Sequence, residues 1–307
     1  EAGADAVKLQ TYSAGTLTIP CDNEHFRIGG GTAWDGRTLY DLYQEASTPW
    51  EWHAELGELA TSLGLIWFST PFDTTAVDFL EELDVPCYKV ASFELVDIPL
   101  LRYIAQQGRP IIASTGMASL SEIDEALATL RGESENDVAL LKCTSAYPAP
   151  VEAANLRTIP NLSETFGVIS GLSDHTLGIA VPVTAVALGA CVIEKHLCLE
   201  RCRGGPDAGF SLEPAEFQEM VRSVRAASSA LGRVQYGCQP HEVPSRVFRR
   251  SLFVVRPIRS GELLTADNVR SIRPGHGLPP NQFERVLGRR AARDLPAGTP
   301  LSWDDIA

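Results

Sequence analysis

One phrase recurs seven times along the first two thirds of this chain: a short apolar run of strand-forming residues that ends in Ser, Thr, Lys, Glu or His, followed by a helical pattern. The runs are Ala6 to Gln10, Leu65 to Ser69, Cys87 to Val90, Pro110 to Ala113, Val138 to Leu141, Val168 to Gly171 and Cys191 to Ile193. Continuous apolar strands alternating with helices read as parallel βα units. Polar residues gathered after each strand are the pattern of a (β/α)8 TIM barrel, whose functional residues sit at the carboxyl ends of the strands. The eighth strand, the first of such a barrel, would lie before Glu1. A doubly wound open sheet is the competing fold, but no glycine-rich dinucleotide loop supports it. Capping signals mark helix starts at Thr48-Pro49-Glu51 and at SLSE, Ser119 to Glu122. The residues from Glu1 to Gly3 read as a helix end. From Ser13 to Ser47 the chain shows little period and carries His25, Trp34, Tyr40 and Tyr43, which predicts an ordered active-site loop.

The stretch Gly171 to His196 concentrates the chemistry. Its two strands form one βαβ unit, the first ending in Ser173, Asp174 and His175, the second in Glu194, Lys195 and His196. Parallel neighbours lie about 5 Å apart, so two imidazoles leaving them at one level can share a metal ion. The alternative is that a histidine here is simply a satisfied core residue.

The chain holds 22 Arg but only four Lys, at positions 8, 89, 142 and 195. All four fall in or at the ends of predicted strands, as expected if they are kept for phosphate binding or amine chemistry that a guanidinium serves poorly. An ordinary strand-end role suits Lys195 best. Seven cysteines, an odd number with three in predicted buried strands, fit reduced thiols. No apolar run spans a membrane and the first residues lack a signal-peptide plan, so a cytoplasmic, non-membrane protein is expected. A net charge of −13 argues against nucleic acid as partner. The residues from Ser245 onward carry 11 Arg against 6 acidic residues, and those before carry 15 basic against 33 acidic. That asymmetry fits docking of a basic tail on an acidic body, or two independent solvated surfaces.

Leu212 to Gly232 reads as an amphipathic helix closing the barrel domain (1–232), followed by a linker (233–248) and a small β-rich domain (249–307). The last contains an internal echo. Ile258 to Val269 matches Leu295 to Ile306 at Gly261 and Gly298, Leu264 and Leu301, and Asp267 and Asp304, which predicts a pseudo-twofold.

The motifs KLQTY, STPFD, YKVASFE, STGM, SAYPAP, GLSDHT and IEKH, in this order, resemble the sialic acid synthase family, and the C-terminal part resembles its antifreeze-like (SAF) domain. The resemblance covers nearly all 307 residues. The runs Trp34 to His53 and Ser92 to Leu100 look most like pseudaminic acid synthases; legionaminic and N-acetylneuraminic acid synthases share the strand-end motifs. The resemblance implies condensation of phosphoenolpyruvate with an open-chain N-acetylated amino sugar, here 2,4-diacetamido-2,4,6-trideoxy-altrose, with loss of phosphate by C–O cleavage. It implies that Lys8, Thr70, Lys89, Ser92, Ser114, Tyr147 and Ser173 hold phosphoenolpyruvate, with Gln10 a further substrate contact. His175 and His196 would bind a divalent metal, Mn2+ first and Mg2+ or Co2+ as alternatives. Glu94, Glu194 and Asp207 would lie near the sugar as candidates for proton transfer, Glu94 foremost. Arg273 would reach the partner's site in a domain-swapped homodimer.

Phe93, Leu95, Trp34, Tyr40 and Tyr43 are the expected apolar lining for a 6-deoxy sugar. Two departures stand out. Ser145 replaces the Asn that N-acetylneuraminate enzymes carry, and the family's first strand with its Glu and Asn-His-Asn-Gly motif has no counterpart in the sequence. Two readings outside the family are a Schiff-base aldolase using Lys142 and a glycan-binding protein with an inactive barrel.

Overall fold

The computed structural model describes residues 2–32, 34–132 and 136–307. They form two compact units, residues 1–232 and 233–307. In the first, seven parallel strands follow the chain in order across one sheet: β1 (Ala6–Thr11), β2 (Ile66–Pro71), β3 (Tyr88–Val90), β4 (Ile111–Ser114), β5 (Val138–Cys143), β6 (Ile169–Asp174) and β7 (Val192–Lys195). All seven predicted strands are present, most of them shifted by one residue and extended at the carboxyl end. The helices are α1 (Ala14–Leu17), α2 (Leu39–Ala46), α3 (Trp52–Ser62), α4 (Thr74–Glu82), α5 (Ile98–Ala105), α6 (Leu120–Arg131), α7 (Thr158–Phe166), α8 (Ala180–Ala187) and α9 (Pro214–Leu231).

β3 is wholly buried, whereas the edge strands β1 and β7 are half-buried. The sheet curls until these edges face each other, because Lys8 Nζ on β1 donates to Glu194 Oε1 on β7 at 2.9 Å. This is the seven-stranded course of a barrel wall. Gly171 lets β6 lie close to β7: a Cβ there would sit 2.4 Å from the Val192 carbonyl oxygen.

Local chemistry sets the helix starts. Ser119 and Glu122 make the predicted capping box on α6. Asp73 accepts from Thr75 N and Ala76 N at the start of α4, and Asp97 accepts from Leu100 N at α5. One expected cap is absent: α3 begins at Trp52, and no side chain of the Thr48-Pro49-Glu51 stretch caps it. α9 begins at Pro214 because Leu212 is held in a bridge to Leu197. Ala2 and Gly3 are not helical, and Glu1 lies outside the described residues. The segment read as aperiodic, residues 13–47, contains α1 and α2, too short to show a period. Cys143 is buried as predicted, but Cys191 is exposed and Cys87 only half-buried; all seven cysteines are free.

The second unit has its own core of Leu252, Val254, Ile258, Leu264, Val269, Val286, Leu295 and Leu301. Strands β8 (Ser251–Val254) and β9 (Val269–Ile272) pair antiparallel, and a helical turn α10 (Phe283–Val286) packs on them. The sequence echo is a structural one. Ile258 and Leu295 exchange backbone hydrogen bonds at 2.9 and 2.8 Å, and Gly261 and Gly298 share a left-handed φ of 81° and 89°. Asn268 caps Thr265 N as Asp305 caps Ser302 N, one residue beyond the aspartates matched in sequence. Within residues 233–248, read as a linker, Pro240–Phe248 is a 3-10 run whose Val247 carbonyl accepts from Gly275 N at 2.9 Å. No described helix is long and apolar enough to cross a membrane.

Candidate active site

Side chains alternate along a strand, so parity decides which residues enter the barrel mouth. In β6 and β7 the register pairs Ser173 with Glu194 and Asp174 with Lys195. Ser173, His175, Glu194 and His196 face a cavity of about 400 Å3, while Asp174 and Lys195 face the other way. Behind the site Lys195 Nζ donates to Asp174 Oδ2 at 2.6 Å and to the Thr176 carbonyl, with both side chains excluded from solvent. Asp174 also accepts from Thr176 N at 2.9 Å. The pair thus pins the backbone on either side of His175 and next to His196.

The same cavity collects Lys8 and Gln10 from β1, Thr70 from β2, Lys89, Ser92 and Glu94 after β3, Ser114 from β4, Tyr147 after β5, and Asp207. Thirteen of the fourteen predicted site residues therefore share one cavity. The fourteenth, Arg273, is an exposed residue after β9 in the other unit. Of the four lysines, Lys142 donates to the Cys143 carbonyl and Thr144 Oγ1 and does not line the cavity. Leu95, expected in the sugar pocket, is instead in the hydrophobic core, and Tyr40 does not line the cavity, whereas Trp34, Tyr43 and Phe93 do. Sequence reasoning missed Tyr12, Phe72, Cys143 and Phe210; strand parity, of Tyr12 with Lys8 and Gln10 and of Cys143 against Lys142, could have found two of them.

Lys89 is 1% exposed and donates to Ser114 Oγ at 2.7 Å and to the Val90 carbonyl. Burial lowers its ammonium to about 8 against the pull of Glu194. Burial would also raise the Glu194 carboxyl, but Lys8 and Lys89 outweigh it and hold Glu194 far below the usual carboxylate range. Glu194 also accepts from Ser173 Oγ at 3.0 Å. Thr70 Oγ1, buried beside this cluster, has no hydrogen-bond partner. One buried ammonium (Lys89), one part-exposed ammonium (Lys8), several hydroxyls and an orphaned donor make an anion pocket.

Glu94 is a further carboxylate lining the cavity. Burial pushes it up to about 7, and its Oε2 has no hydrogen-bond partner. Asp207 Oδ2 lies 3.2 Å from His196 Nδ1 and so orients that ring. His175 Nδ1 lies 3.0 Å from the Thr144 carbonyl, which assigns its proton to Nδ1. Both Nε2 atoms are left as acceptors, on rings 5.3 Å apart. Tyr147 and Phe210 pack against His175 at 4.4 and 5.9 Å. Two imidazoles, each backed through Nδ1 by an oxygen, are a donor set that suits a divalent metal with positions left for substrate or water. No group of three or more His, Cys, Asp or Glu side chains converges for a metal among the described residues.

Trp34 Nε1 donates to the Pro206 carbonyl at 2.9 Å, and its ring lies 5.6 Å from Tyr147, so the segment 13–47 roofs the cavity.

A model of the NeuB family matches residues 1–236 and a model of the SAF domain matches 249–307. The chain is 46% identical over 307 residues to the pseudaminic acid synthase of Helicobacter pylori, spanning all of this chain and 90% of that protein. It is 38% identical over 311 residues to the N,N'-diacetyllegionaminic acid synthase of Legionella pneumophila, covering 87% of it. Among solved structures, the N-acetylneuraminic acid synthetase of Leptospira borgpetersenii, in complex with citrate, matches with a TM-score of 0.69 at 31% identity, over 80% of each chain. The Bacillus subtilis spore coat polysaccharide biosynthesis protein SpsE matches with a TM-score of 0.63 at 35% identity, over all of this chain and 87% of that one.

Proposed function

The chain belongs to the NeuB family and carries a SAF domain, and from that premise we propose that it is a pseudaminic acid synthase. It would condense phosphoenolpyruvate with 2,4-diacetamido-2,4,6-trideoxy-altrose and release phosphate. The observation that carries this reading is one cavity that brings Lys8, Lys89 and the unpartnered Thr70 hydroxyl together with apolar side chains and two imidazoles. Lys8 and Lys89 hold the phosphate and carboxylate of phosphoenolpyruvate, with hydroxyls of Thr70, Ser92, Ser114, Tyr147 and Ser173 as donors. Ser145, where N-acetylneuraminate enzymes have Asn, stands beside Ser92 near Gly116: a Cβ on Gly116 would meet both serine hydroxyls, at 2.3 and 2.7 Å. His175 and His196 would hold a divalent metal, Mn2+ first, which when bound supplies Lewis-acid polarisation of the sugar aldehyde. Arg273 and domain-swapped dimerisation belong to this proposal through the SAF domain, as does a cytoplasmic address.

Among the three carboxylates, Glu94 is the one built for proton transfer. Glu194 is locked as an anion by two ammoniums and Asp207 is committed to His196, whereas Glu94 titrates near neutrality with a free oxygen. A base is most useful with a pKa near the working pH. We assign it removal of the anomeric hydroxyl proton as the C1–ring-oxygen bond breaks, and return of that proton to the ring oxygen, which leaves the open-chain aldehyde and regenerates the carboxylate. The deprotonated form is then the active one, so kcat/KM for the sugar should rise with pH through a limb centred near 7, and Glu94→Gln should abolish that limb. Stability moves the other way. A carboxyl whose pKa is raised on folding stabilises the fold while protonated, and that contribution fades as pH climbs from the unfolded value of about 4.3 toward 7. Glu94→Gln should therefore raise Tm at pH 8 and leave it nearly unchanged at pH 4. A limb that persists in Glu94→Gln would assign the base elsewhere.

Substrate choice follows from the mouth. Leu17, Ile28, Leu39, Leu42, Phe72 and Phe93 face it, and a sugar 6-hydroxyl buried there without a partner costs about 1–3 kcal/mol. Phosphate release should favour the diacetamido trideoxy sugar over N-acetylmannosamine by at least about tenfold in kcat/KM. Equal or better turnover of N-acetylmannosamine would move the protein to the N-acetylneuraminate branch. The Schiff-base alternative has its amine, Lys142, outside the cavity lining.

A further inference from the structure

Lys8 and Gln10 enter the cavity from β1, and the same alternation continues past the strand end to Tyr12, which also lines it. Lys8 to Tyr12 spans about 13 Å of extended chain, long enough to hold phosphoenolpyruvate at one end and the far half of an open-chain hexose at the other. Resting on the synthase reading above, we propose that the Tyr12 phenol donates a hydrogen bond to the carbonyl of the N-acyl group remote from the aldehyde, which makes Tyr12 a specificity-determining residue.

Three observations support this. Tyr12 is 4% exposed, yet its hydroxyl makes no hydrogen bond among the described residues; only its backbone carbonyl is used, by Trp50 Nε1 at 3.1 Å. The hydroxyl of a largely buried tyrosine ordinarily finds a partner; this one is not among the atoms sealed without one, and the cavity that Tyr12 lines is where it stays open. The ring is also held in place. Tyr43 and Phe72 meet it edge-on at 6.0 and 5.0 Å, so the phenol is presented at a fixed point. Finally, burial and then the Asp207 carboxylate push the phenol above its ordinary value, which keeps it a neutral donor.

The surroundings choose the acceptor. A sugar hydroxyl placed there would need both an acceptor and a donor, whereas a carbonyl needs only a donor. Leu17, Leu39, Leu42 and Phe72 face the same cavity and suit the methyl of an acetyl group. An N-acyl group is polar at its oxygen and apolar at its methyl, a pair met by the Tyr12 hydroxyl and the Phe72 ring packed against it.

The test is Tyr12→Phe, assayed by phosphate release with the diacetamido trideoxy sugar and with N-acetylmannosamine, which has only the acetamido group next to the aldehyde. The expected result is a rise of about ten- to a hundredfold in KM for the diacetamido sugar, with the KM for phosphoenolpyruvate unmoved and the preference between the two sugars reduced at least tenfold. Circular dichroism and Tm of the variant match the parent if the ring packing is kept. Tyr12→Leu, which loses hydroxyl and ring together, should show the same loss of preference. An unchanged KM for the diacetamido sugar, or equal losses for both sugars, overturns the inference. A parent protein that turns over neither sugar overturns the synthase reading itself, and this inference with it.

Discussion

Replacing Lys195 with Met lowers the unfolding free energy by about 3–5 kcal/mol, the range for removing one partner of a buried ion pair. The ammonium and the Asp174 carboxylate are both sealed from solvent, 2.6 Å apart, and among the described residues the carboxylate has only Thr176 as a further partner. Losing Lys195 strands a buried anion in the wall that carries both histidines. Asp174→Leu combined with Lys195→Met should recover most of the stability, because well-packed apolar replacements of buried pairs are often neutral or stabilising. Urea unfolding of the four proteins decides the matter. A single-mutant cost below about 1 kcal/mol, the range of exposed pairs, would show that the pair bears little of the fold.

His175→Ala or His196→Ala reduces kcat by about a hundredfold or more, on the scale of losing one preorganised electrostatic group, while far-UV circular dichroism stays that of the parent. Each ring offers Nε2 to the cavity and is held through Nδ1, by the Thr144 carbonyl or by Asp207. Removing either ring leaves one imidazole, too few protein donors to retain a divalent ion tightly. Electron paramagnetic resonance of titrated Mn2+ reads this without turnover: the parent should bind one ion and each variant should bind far more weakly. Asp207→Asn should weaken binding about 10- to 100-fold through the ring it supports. Full activity of a double alanine variant in the presence of a chelator would remove the metal from the account.

How much of this was legible in the sequence depended on parity and on length. The strand ends of β6 and β7 spell their own geometry, since Ser-Asp-His over Glu-Lys-His puts two histidines on one face and one ion pair on the other. Lys195, the lysine for which an ordinary strand-end role is expected, pairs with Asp174 and does not line the cavity. The same parity places Cys143 in the cavity and Lys142 out of it, a distinction the sequence contained but the aldolase reading did not use. Leu95 was misplaced because the turn after β3 is a single 3-10 turn, Glu94–Val96, that sends Glu94 to the cavity and Leu95 to the core. Helices as short as α1 and α2 complete too few turns to reveal a period, so the roof of the site read as loop. Phe72 and Phe210 look like core residues in sequence, and only the folded chain shows them against Tyr12 and against the two histidines.

The central claim is that this cavity condenses phosphoenolpyruvate with an acetamido sugar by breaking the C–O bond. Phosphoenolpyruvate labelled with heavy oxygen at the bridging position, incubated with the protein, Mn2+ and the diacetamido trideoxy sugar, tests it most directly by mass spectrometry of both products. The account predicts one inorganic phosphate per nonulosonic acid formed, with the label in the phosphate. Label retained in the keto acid, or no phosphate released with any acetamido sugar, would contradict it.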